Sequence, residues 1–316
     1  MTAPPPLVIV GATATGKTAL AVALARRWDN VALVNADSRQ VVSGLRVGTA
    51  APTREELQGI PYHCLDLCEP GERFTVVAWL AAARVALSAV AAAGSRSIVV
   101  GGTGLYVDAL VNGFAPDIGE PDQESRAARN AMVAEGRFDE LVAELQRRDP
   151  SSSATIDLRN PRRVIRTLEI LDSGRRVADV RRKEGGLFAR VIGLEVARAN
   201  VIERIEARAR RMFESGALLA EVDSALGRGI DRAALARCGI GYAEALSVHD
   251  GETSVSDAVP ATVRRTVRYA KAQRTWFRRD PAVEWIDATG SGPDEIARQL
   301  ASRGPKHPFA QTPVRC

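Results

Sequence analysis

Residues 7–18, Leu-Val-Ile-Val-Gly-Ala-Thr-Ala-Thr-Gly-Lys-Thr, decide the fold class. The four apolar residues predict a buried strand, and a helical pattern runs from Thr18 to Trp28. Between them, Gly11 to Thr18 match the phosphate-loop pattern G-x-x-x-x-G-K-[ST] in full. Glycines let the backbone wrap an anion, toward which successive N–H groups and the helix N-terminus point. Lys17 adds a mobile positive charge, and Thr18 offers a hydroxyl to Mg²⁺.

Short β-branched runs alternate with helical patterns through the first third of the chain. Val31–Asn35 and Ser97–Val100 have the character of buried strands, and Phe74–Ala93 has that of a helix between them. This alternation predicts a parallel sheet with right-handed crossovers. From about residue 116 to 190 only helical patterns occur, and strand character returns at Arg190–Val196.

The sequence therefore predicts an α/β protein with a P-loop NTPase-like parallel-sheet core and a helical insertion. The predicted catalytic core comprises residues 1–115 and 190–303, and the insertion domain comprises residues 116–189. A proline-containing tail without periodicity, residues 304–316, is expected to be disordered.

Composition narrows the class of partner. The 316 residues carry a net charge of +5 with a pI of about 9.3, which favours an anionic partner such as nucleic acid or a phosphorylated substrate. The first apolar run, Leu7–Val10, is too short for a signal peptide, and Val76–Ala93 is interrupted by Arg84. We expect a cytoplasmic protein that does not enter membranes. No coiled-coil pattern or apolar docking helix is evident, so we expect a monomer.

Two residues at predicted strand ends carry candidate chemistry. The strand Ile98–Val100 runs into Gly-Gly-Thr103-Gly, without the acid that an ordinary ATPase would place there. Asp37 instead follows the second predicted strand, and the carboxyl ends of parallel strands meet at one edge of the sheet. Asp37 could hold Mg²⁺, act as a general base toward a second substrate, or cap a following helix.

Two segments are strongly basic. Residues 159–183 contain nine Arg or Lys and three acids, and residues 264–279 contain seven Arg or Lys and no acid. In the second segment a helical face carries Arg264, Arg268, Lys271, Thr275 and Arg278, opposite an apolar face, and this favours binding of a phosphate backbone. Tyr269 and Trp276 could stack on bases, although we expect both to be buried. Arg208, on a third helix, belongs to a surface ion-pair helix or reaches the phosphate site.

Nine segments together resemble the bacterial tRNA dimethylallyltransferases. The resemblance runs from residue 7 to about 287, and its most specific parts are the Asp-Ser pair, Gly-Gly-Thr-Gly-Leu-Tyr and the Lys-x-Gln-x-Thr-Trp-Phe-Arg segment. The segments begin at Gly11 (GATATGKT), Asn35 (NADSRQ), Val47 (VGTA), Pro61 (PYHCLD), Val100 (VGGTGLY), Asn160 (NPRRVIRTLE), Arg204 (RIEAR), Ile240 (IGY) and Lys271 (KAQRTWFR).

This resemblance implies a specific reaction. The P-loop would bind the diphosphate of dimethylallyl diphosphate. The five-carbon group would pass to the N6 amine of the adenosine 3′-adjacent to the anticodon, in tRNAs reading codons that begin with U. Asp37 would take the amine proton, Thr103 would hydrogen-bond near the adenine, and Arg208 with Mg²⁺ on Thr18 would stabilise the leaving diphosphate. The diphosphate-binding residues would be Gly11, Ala12, Thr13, Ala14, Thr15, Gly16, Lys17 and Thr18.

The resemblance also implies contacts with the tRNA anticodon stem-loop. The target base would leave its stack to enter the pocket, and Arg126 would contact the displaced base region. The expected tRNA-binding residues are Asp37, Ser38, Arg39, Gln40, Thr103, Arg126, Arg162, Arg163, Arg166, Arg268, Lys271, Gln273 and Arg278.

Three other functions share parts of this pattern. An adenylate isopentenyltransferase would use free AMP and would not need the basic insertion. A P-loop small-molecule kinase would place ATP in the same loop. A non-catalytic RNA-binding protein on a degenerate NTPase fold would not need an intact P-loop beside Asp37.

Overall fold

The computed structural model describes residues 4–113, 122–180 and 185–302. The tail predicted to be disordered, residues 304–316, lies outside this range. The chain divides into two compact units: Met1–Asp108 with Phe188–Cys316, hereafter the core unit, and Ala109–Leu187, the insertion unit. The sequence placed the corresponding boundaries at residues 116 and 189.

The core unit is built on a sheet of six described strands, all parallel, in the order β3-β2-β4-β1-β5-β6. The α/β prediction is confirmed. The two-residue β3 was missed because a pair of residues carries no periodicity. The strands are β1 (Leu7–Gly11), β2 (Val31–Asn35), β3 (Tyr62–His63), β4 (Arg96–Val100), β5 (Arg190–Glu195) and β6 (Glu284–Asp287).

Helices connect and cover these strands, and those in the insertion unit are α5 to α9. In chain order the helices are α1 (Lys17–Ala25), α2 (Arg54–Leu57), α3 (Val76–Ala92), α4 (Gly104–Asn112), α5 (Gln123–Ala134), α6 (Phe138–Arg148), α7 (Pro150–Ser153), α8 (Pro161–Asp172), α9 (Val177–Val180), α10 (Arg198–Glu214), α11 (Ala217–Gly227), α12 (Arg232–Cys238), α13 (Tyr242–His249), α14 (Val255–Phe277) and α15 (Pro293–Ser302).

The central strands are apolar because helices cover both faces of the sheet. Leu7 and Ile9 point to one face and pack with α1 and α15, together with alternate residues of β4 and β5. A second apolar cluster joins α10 to α13 around Tyr242 and Phe213, both fully buried. These two clusters hold the helices that reach the carboxyl edge of the sheet.

The insertion unit has an apolar core of its own. Leu141 and Leu145 of α6 pack against Val164 and Leu168 of α8. Capping residues open two of its helices. Asp122 accepts the N–H of Glu124 at the start of α5, and Asn160 precedes Pro161, the first residue of α8, where a missing N–H costs nothing.

The carboxyl ends of β1, β2 and β4 lie side by side. Ile9 and Asn35 both pair with Val100, so the P-loop after β1 and the loops after β2 and β4 leave the same edge. No described helix is both long and apolar enough to cross a lipid bilayer.

Candidate functional site

The P-loop presents a row of unpaired backbone N–H groups. Ala14 and Gly16 take left-handed conformations, with φ of 65° and 90°, which turn successive N–H groups toward one point. Within the described residues, no group accepts a hydrogen bond from the N–H groups of residues 14–18. Gly16 starts α1 without a side-chain cap, which leaves the helix N-terminus open to an anion.

Lys17 lies inside this loop. Its Nζ donates to the Ala12 carbonyl at 2.7 Å, and the Thr15 hydroxyl donates to the same oxygen at 2.9 Å. Burial lowers the pKa of the Lys17 ammonium to about 8; Asp37 opposes this effect, and Arg208 adds to it. A half-buried cation without a full set of partners is stabilised by an incoming anion.

Arg208 of α10 completes the cationic side of the loop. Its Nη2 donates to the Thr13 hydroxyl at 3.0 Å, and the neighbouring Arg204 donates to the Ala14 carbonyl at 3.3 Å. Burial lowers the pKa of Arg208, Asp37 opposes this effect, and Arg211 adds to it. Of the two possibilities left open for this helix, the structure favours the one in which an arginine reaches the phosphate site.

Asp37 is held by the fully buried Asn35. The Asn35 amide donates to the Asp37 and Cys64 carbonyls, both at 3.0 Å, and its Oδ1 accepts the N–H of Asp37. The Asp37 Oδ1 accepts the N–H of Arg39 at 2.9 Å, and residues 38–41 form turns. The helix-cap alternative is therefore wrong: the carboxylate closes a turn and remains half-exposed beside the P-loop.

Thr103 joins the ends of β2 and β4. Its hydroxyl accepts the N–H of Ser38 at 2.8 Å and donates to the Ser38 hydroxyl at 3.1 Å. A Cβ at Gly101 would lie 2.2 Å from the carbonyl atoms of Ala36, so only glycine permits this approach. Thr103 and Asp37 are thereby brought to the same rim.

Gln273 is not a surface residue, and its predicted contact with tRNA stays a prediction. The side chain is buried; its Oε1 accepts the N–H of Thr13 at 2.8 Å, and its Nε2 donates to the Gly102 carbonyl at 2.9 Å. A Cβ at Gly102 would lie 2.2 Å from that amide nitrogen. Gln273 therefore fixes the P-loop to the end of β4, and it removes the Thr13 N–H from the set that could bind diphosphate.

Three of the exposed cations on α14 have no acidic partner in the part of the chain that the structure describes. Arg264, Arg268 and Lys271 make no ion pair within the described residues. Arg278, at the C-terminal end of the predicted basic face, differs from these three because it has partners. It pairs with Glu195, and its guanidinium lies over the Trp285 ring, 4.9 Å from the ring centroid. Arg278 thus reaches a tRNA phosphate only if this pair opens or is shared.

Tyr269 and Trp276, the two aromatic residues of α14 that could stack on bases, differ in exposure. Trp276 is 36% exposed, so the expected burial is wrong for this residue; its ring covers Gly104, where a Cβ would lie 2.2 Å from Cδ1. Tyr269 is half-buried at the mouth of a cavity. Burial, with a smaller contribution from nearby Asp37, raises the pKa of its phenol to about 12. The phenol therefore keeps its proton near neutral pH.

The predicted arginines of the insertion unit fall into two groups. Arg126 binds the carboxylate of buried Glu169 with two hydrogen bonds of 2.6 and 2.7 Å, and Arg166 adds a third of 2.9 Å. Although burial raises the pKa of Glu169, the two arginines outweigh it and hold the pKa below its usual value. Arg162 and Arg163 are exposed at the start of α8 and have no ion-pair partner among the described residues.

A cavity in the core unit is lined by residues of the P-loop, of the turn after β2 and of helices α10 and α14. Thr13, Asp37 and Arg208 line it together with apolar side chains of α10 and of the loop before α13. The sequence pointed to Gly48–Ala50 as part of a motif without giving these residues a role. The other lining residues are Arg39, Gly48, Thr49, Ala50, Ile205, Ala209, Met212, Ile240, Thr262, Thr266 and Tyr269.

The turn after β2 is tied into this wall. Gln40 donates to the Ala50 carbonyl at 3.0 Å, and the Arg39 guanidinium donates to the Arg237 carbonyl at 2.8 Å. These bonds hold both side chains against the protein in the absence of RNA. Their predicted contacts with tRNA remain predictions.

The fold and the site together define a P-loop protein in which a cavity that contains the Asp37 carboxylate lies beside the anion site. Residues 40–280 match the IPP transferase family and residues 6–67 match the isopentenyl transferase family. A tRNA dimethylallyltransferase of Anaeromyxobacter dehalogenans is 41% identical over 301 residues, 94% of this chain and 99% of that protein. One from Geobacillus kaustophilus is 35% identical over 94% of this chain and 96% of its own length. The chain belongs to the tRNA dimethylallyltransferase family.

Solved structures agree with this assignment. The full-length tRNA isopentenylpyrophosphate transferase of Bacillus halodurans superposes with a TM-score of 0.66 at 33% identity, covering 95% of this chain and 96% of that one. A eukaryotic dimethylallyltransferase acting on tRNA, at 24% identity and with a TM-score of 0.76, covers 94% of this chain and 77% of its own, and shares the fold. The resemblance noted in the sequence is confirmed.

Proposed function

We propose that this protein transfers the dimethylallyl group of dimethylallyl diphosphate to the N6 amine of the adenosine that follows the anticodon in tRNA. The observation that carries the proposal is a cavity in which Thr13 of the P-loop, the Arg208 guanidinium and the Asp37 carboxylate lie together with apolar side chains of α10. Such a cavity suits a donor with a charged diphosphate and a short hydrocarbon. Family membership supports the same reaction, and the relatives' names give the acceptor as tRNA.

The donor binds with its diphosphate in the P-loop and its hydrocarbon in the cavity. The free N–H groups of Ala14 to Thr18, with Lys17 and Arg208, supply donors and positive charge for the diphosphate. Ile205, Ala209 and Met212 offer apolar contact to the five-carbon group. Held in this way, the donor's first carbon lies between the anion site and Asp37.

The reaction is a substitution at this carbon. The adenine N6 forms a bond to it while the carbon–oxygen bond to the diphosphate breaks, and the electron pair of that bond leaves with the diphosphate. The cations and N–H groups of the P-loop stabilise the charge that develops on the leaving oxygen. The Asp37 carboxylate accepts the proton that N6 loses, and its bond to the Arg39 N–H keeps it aimed at the cavity.

Thr18 fits the role of a protein ligand to Mg²⁺. Its hydroxyl makes no hydrogen bond within the described residues and stands at the N-terminus of α1, beside the anion site. Mg²⁺ commonly uses one or two protein oxygens and takes its other ligands from substrate phosphates and water. When bound, the ion would supply further positive charge to the leaving diphosphate.

The acceptor binds through exposed cations. Arg268 and Lys271, with Arg264, form an unpaired positive face on α14, whose buried Gln273 contacts the P-loop. Arg162 and Arg163 give the insertion unit a second exposed pair. A protein that binds several phosphates of an anticodon stem-loop should respond steeply to salt. One chain carries the full set of proposed groups, so we propose that it works as a monomer.

Two rivals predict different products. A small-molecule kinase would transfer phosphate from ATP, but the end of β4 carries Gly101, Gly102 and Thr103 and supplies no acid to organise the transfer. An adenylate isopentenyltransferase would leave the exposed cations of α14 without a partner. Both features favour tRNA prenylation.

Digestion of product tRNA tests this function. Unmodified tRNA with an adenosine after its anticodon is incubated with the protein, Mg²⁺ and dimethylallyl diphosphate, and its nucleosides are analysed by mass spectrometry. We expect adenosine bearing one dimethylallyl group, and no product from a control tRNA in which that adenosine is replaced by guanosine. Modification at another position, or equal modification of both tRNAs, would contradict the proposed target.

A further inference from the structure

We propose that Glu221 of α11 is a positioning residue that sets which isoprenoid chain lengths the donor cavity accepts. This inference rests on the proposed function. Glu221 touches neither the cavity nor the P-loop. It acts through the segment Arg46–Ala50, hereafter the 46–50 loop, which forms one wall of the cavity.

One carboxylate holds four donors at this point. The Glu221 Oε2 accepts the N–H groups of Arg46 and Val47, at 2.6 and 2.7 Å. The Glu221 Oε1 accepts the N–H of Gly48 at 2.9 Å and the phenol of Tyr242 at 2.6 Å. Charge-assisted bonds of this kind are about twice as strong as neutral ones. Three consecutive backbone N–H groups are thus fixed by a single side chain from another helix.

The ring of Tyr242 closes the other side of the loop. Tyr242 is fully buried, and a Cβ at Gly48 would lie 2.4 Å from its Cζ atom. The loop backbone therefore packs directly on the ring whose hydroxyl also binds Glu221. Burial raises the pKa of the Tyr242 phenol, and Glu221 raises it further, so the phenol stays a donor.

The fixed loop passes straight into the cavity wall. Gly48, Thr49 and Ala50 line the cavity together with the apolar residues of α10. Gln40 ties the Ala50 carbonyl to the turn that carries Asp37. Displacing the loop would therefore widen the apolar space and loosen the support of the general base together. The sequence contained one signal for this role: Glu221 shares the buried face of α11 with Leu218, Val222 and Ala225, and an acid on such a face needs a partner.

Donor selectivity distinguishes positioning from general stability. For Glu221→Ala we expect kcat/KM with geranyl diphosphate, relative to dimethylallyl diphosphate, to rise by roughly tenfold or more, since a single methylene in an apolar pocket is worth about 10–200-fold. Tyr242→Phe, which removes one of the four donors and keeps the ring, should shift the ratio in the same direction by less. Glu214→Ala, which removes an exposed carboxylate of α10, should leave the ratio unchanged.

The remaining outcomes are also informative. If a variant only loses active protein, the rates with the two donors fall equally and their ratio does not change. An unchanged ratio in both folded Glu221→Ala and Tyr242→Phe would overturn the positioning role. If Glu221→Ala does not fold, the same ratio is measured in two other variants, and their result decides. These are Glu221→Gln, which keeps one acceptor oxygen, and Tyr242→Phe. Absence of isoprenyl transfer by the unaltered protein would instead overturn the proposed function and this inference with it.

Discussion

At the scale of single residues, the site depends on where three charges lie. Asp37 stands beside two cations, Lys17 and Arg208, and opposes the loss of charge that burial imposes on both. The Asp37 carboxylate can accept the proton of the acceptor amine, because Lys17 and Arg208 already supply positive charge to the diphosphate. The chemistry and the anion binding are therefore separable by mutation.

Asp37→Ala should lose most of the chemical rate while keeping affinity for tRNA. A positioned general base contributes about 100- to 10 000-fold, so single-turnover transfer should fall within that range. Asp37→Asn is the matched variant, because its Oδ1 can still accept the Arg39 N–H and preserve the turn. A rate in either variant equal to that of the unaltered protein would remove Asp37 from the role of base.

Lys17 should give diphosphate binding a characteristic pH dependence. Because the pKa of Lys17 in the free protein is lowered to about 8, its ammonium loses a proton as the pH rises through this value. Affinity for inorganic diphosphate, measured by calorimetry from pH 6.5 to 9.5 (roughly 1.5 units on either side of that pKa), should therefore fall above about pH 8. Lys17→Arg keeps its charge over this range and serves as the control for the titration of diphosphate itself. Equal pH profiles for the two proteins would exclude Lys17 as the titrating group.

At the scale of elements, the strand–loop–helix unit and the parallel sheet were predictable from sequence pattern and chirality. Apolar runs placed β1, β2, β4 and β5 within a residue or two, because strands buried on both faces need continuous apolar sequence. Asp37 and Thr103 were predictable for the same reason: each directly follows such a run. The roles of Gln273 and Glu221 were not predictable in this way, because both depend on contacts between elements far apart in sequence.

Helix α14 has two functions on two faces. Its buried face carries Gln273, which accepts the P-loop N–H of Thr13 and binds the end of β4. Its exposed face carries cations that have no protein partner among the described residues. The sequence showed the amphipathic pattern, but it could not show that a polar residue among the apolar ones would be the contact to the P-loop.

Charge reversal on the exposed face of α14 tests its role in tRNA binding. Arg268→Glu combined with Lys271→Glu should weaken tRNA binding and reduce the slope of log affinity against log salt by about 1 for each phosphate that the variant no longer binds. Arg26→Glu combined with Arg298→Glu, at two exposed positions outside α14, changes the net charge by the same amount and is the matched control. Affinity and slope that match the control would mean that this face does not bind tRNA.

At the scale of the whole molecule, the chain combines a nucleotide-type sheet with an inserted helical unit that has its own core. The net charge of +5 is modest, and many arginines are used internally in ion pairs such as Arg126 with Glu169 and Arg190 with Glu284. The free cations are thus fewer than the sequence counts suggest. Net charge alone did not identify the nucleic-acid surface, because pairing depends on the fold.

Acceptor choice is the property of the whole protein that separates the proposed function from its rivals. The measurement is transfer of radiolabel from dimethylallyl diphosphate, with Mg²⁺, to unmodified tRNA carrying adenosines 3′ of its anticodon, to AMP, and to no acceptor. The account predicts label on tRNA alone. Label on AMP and none on tRNA would contradict it and leave the exposed cations of α14 unexplained.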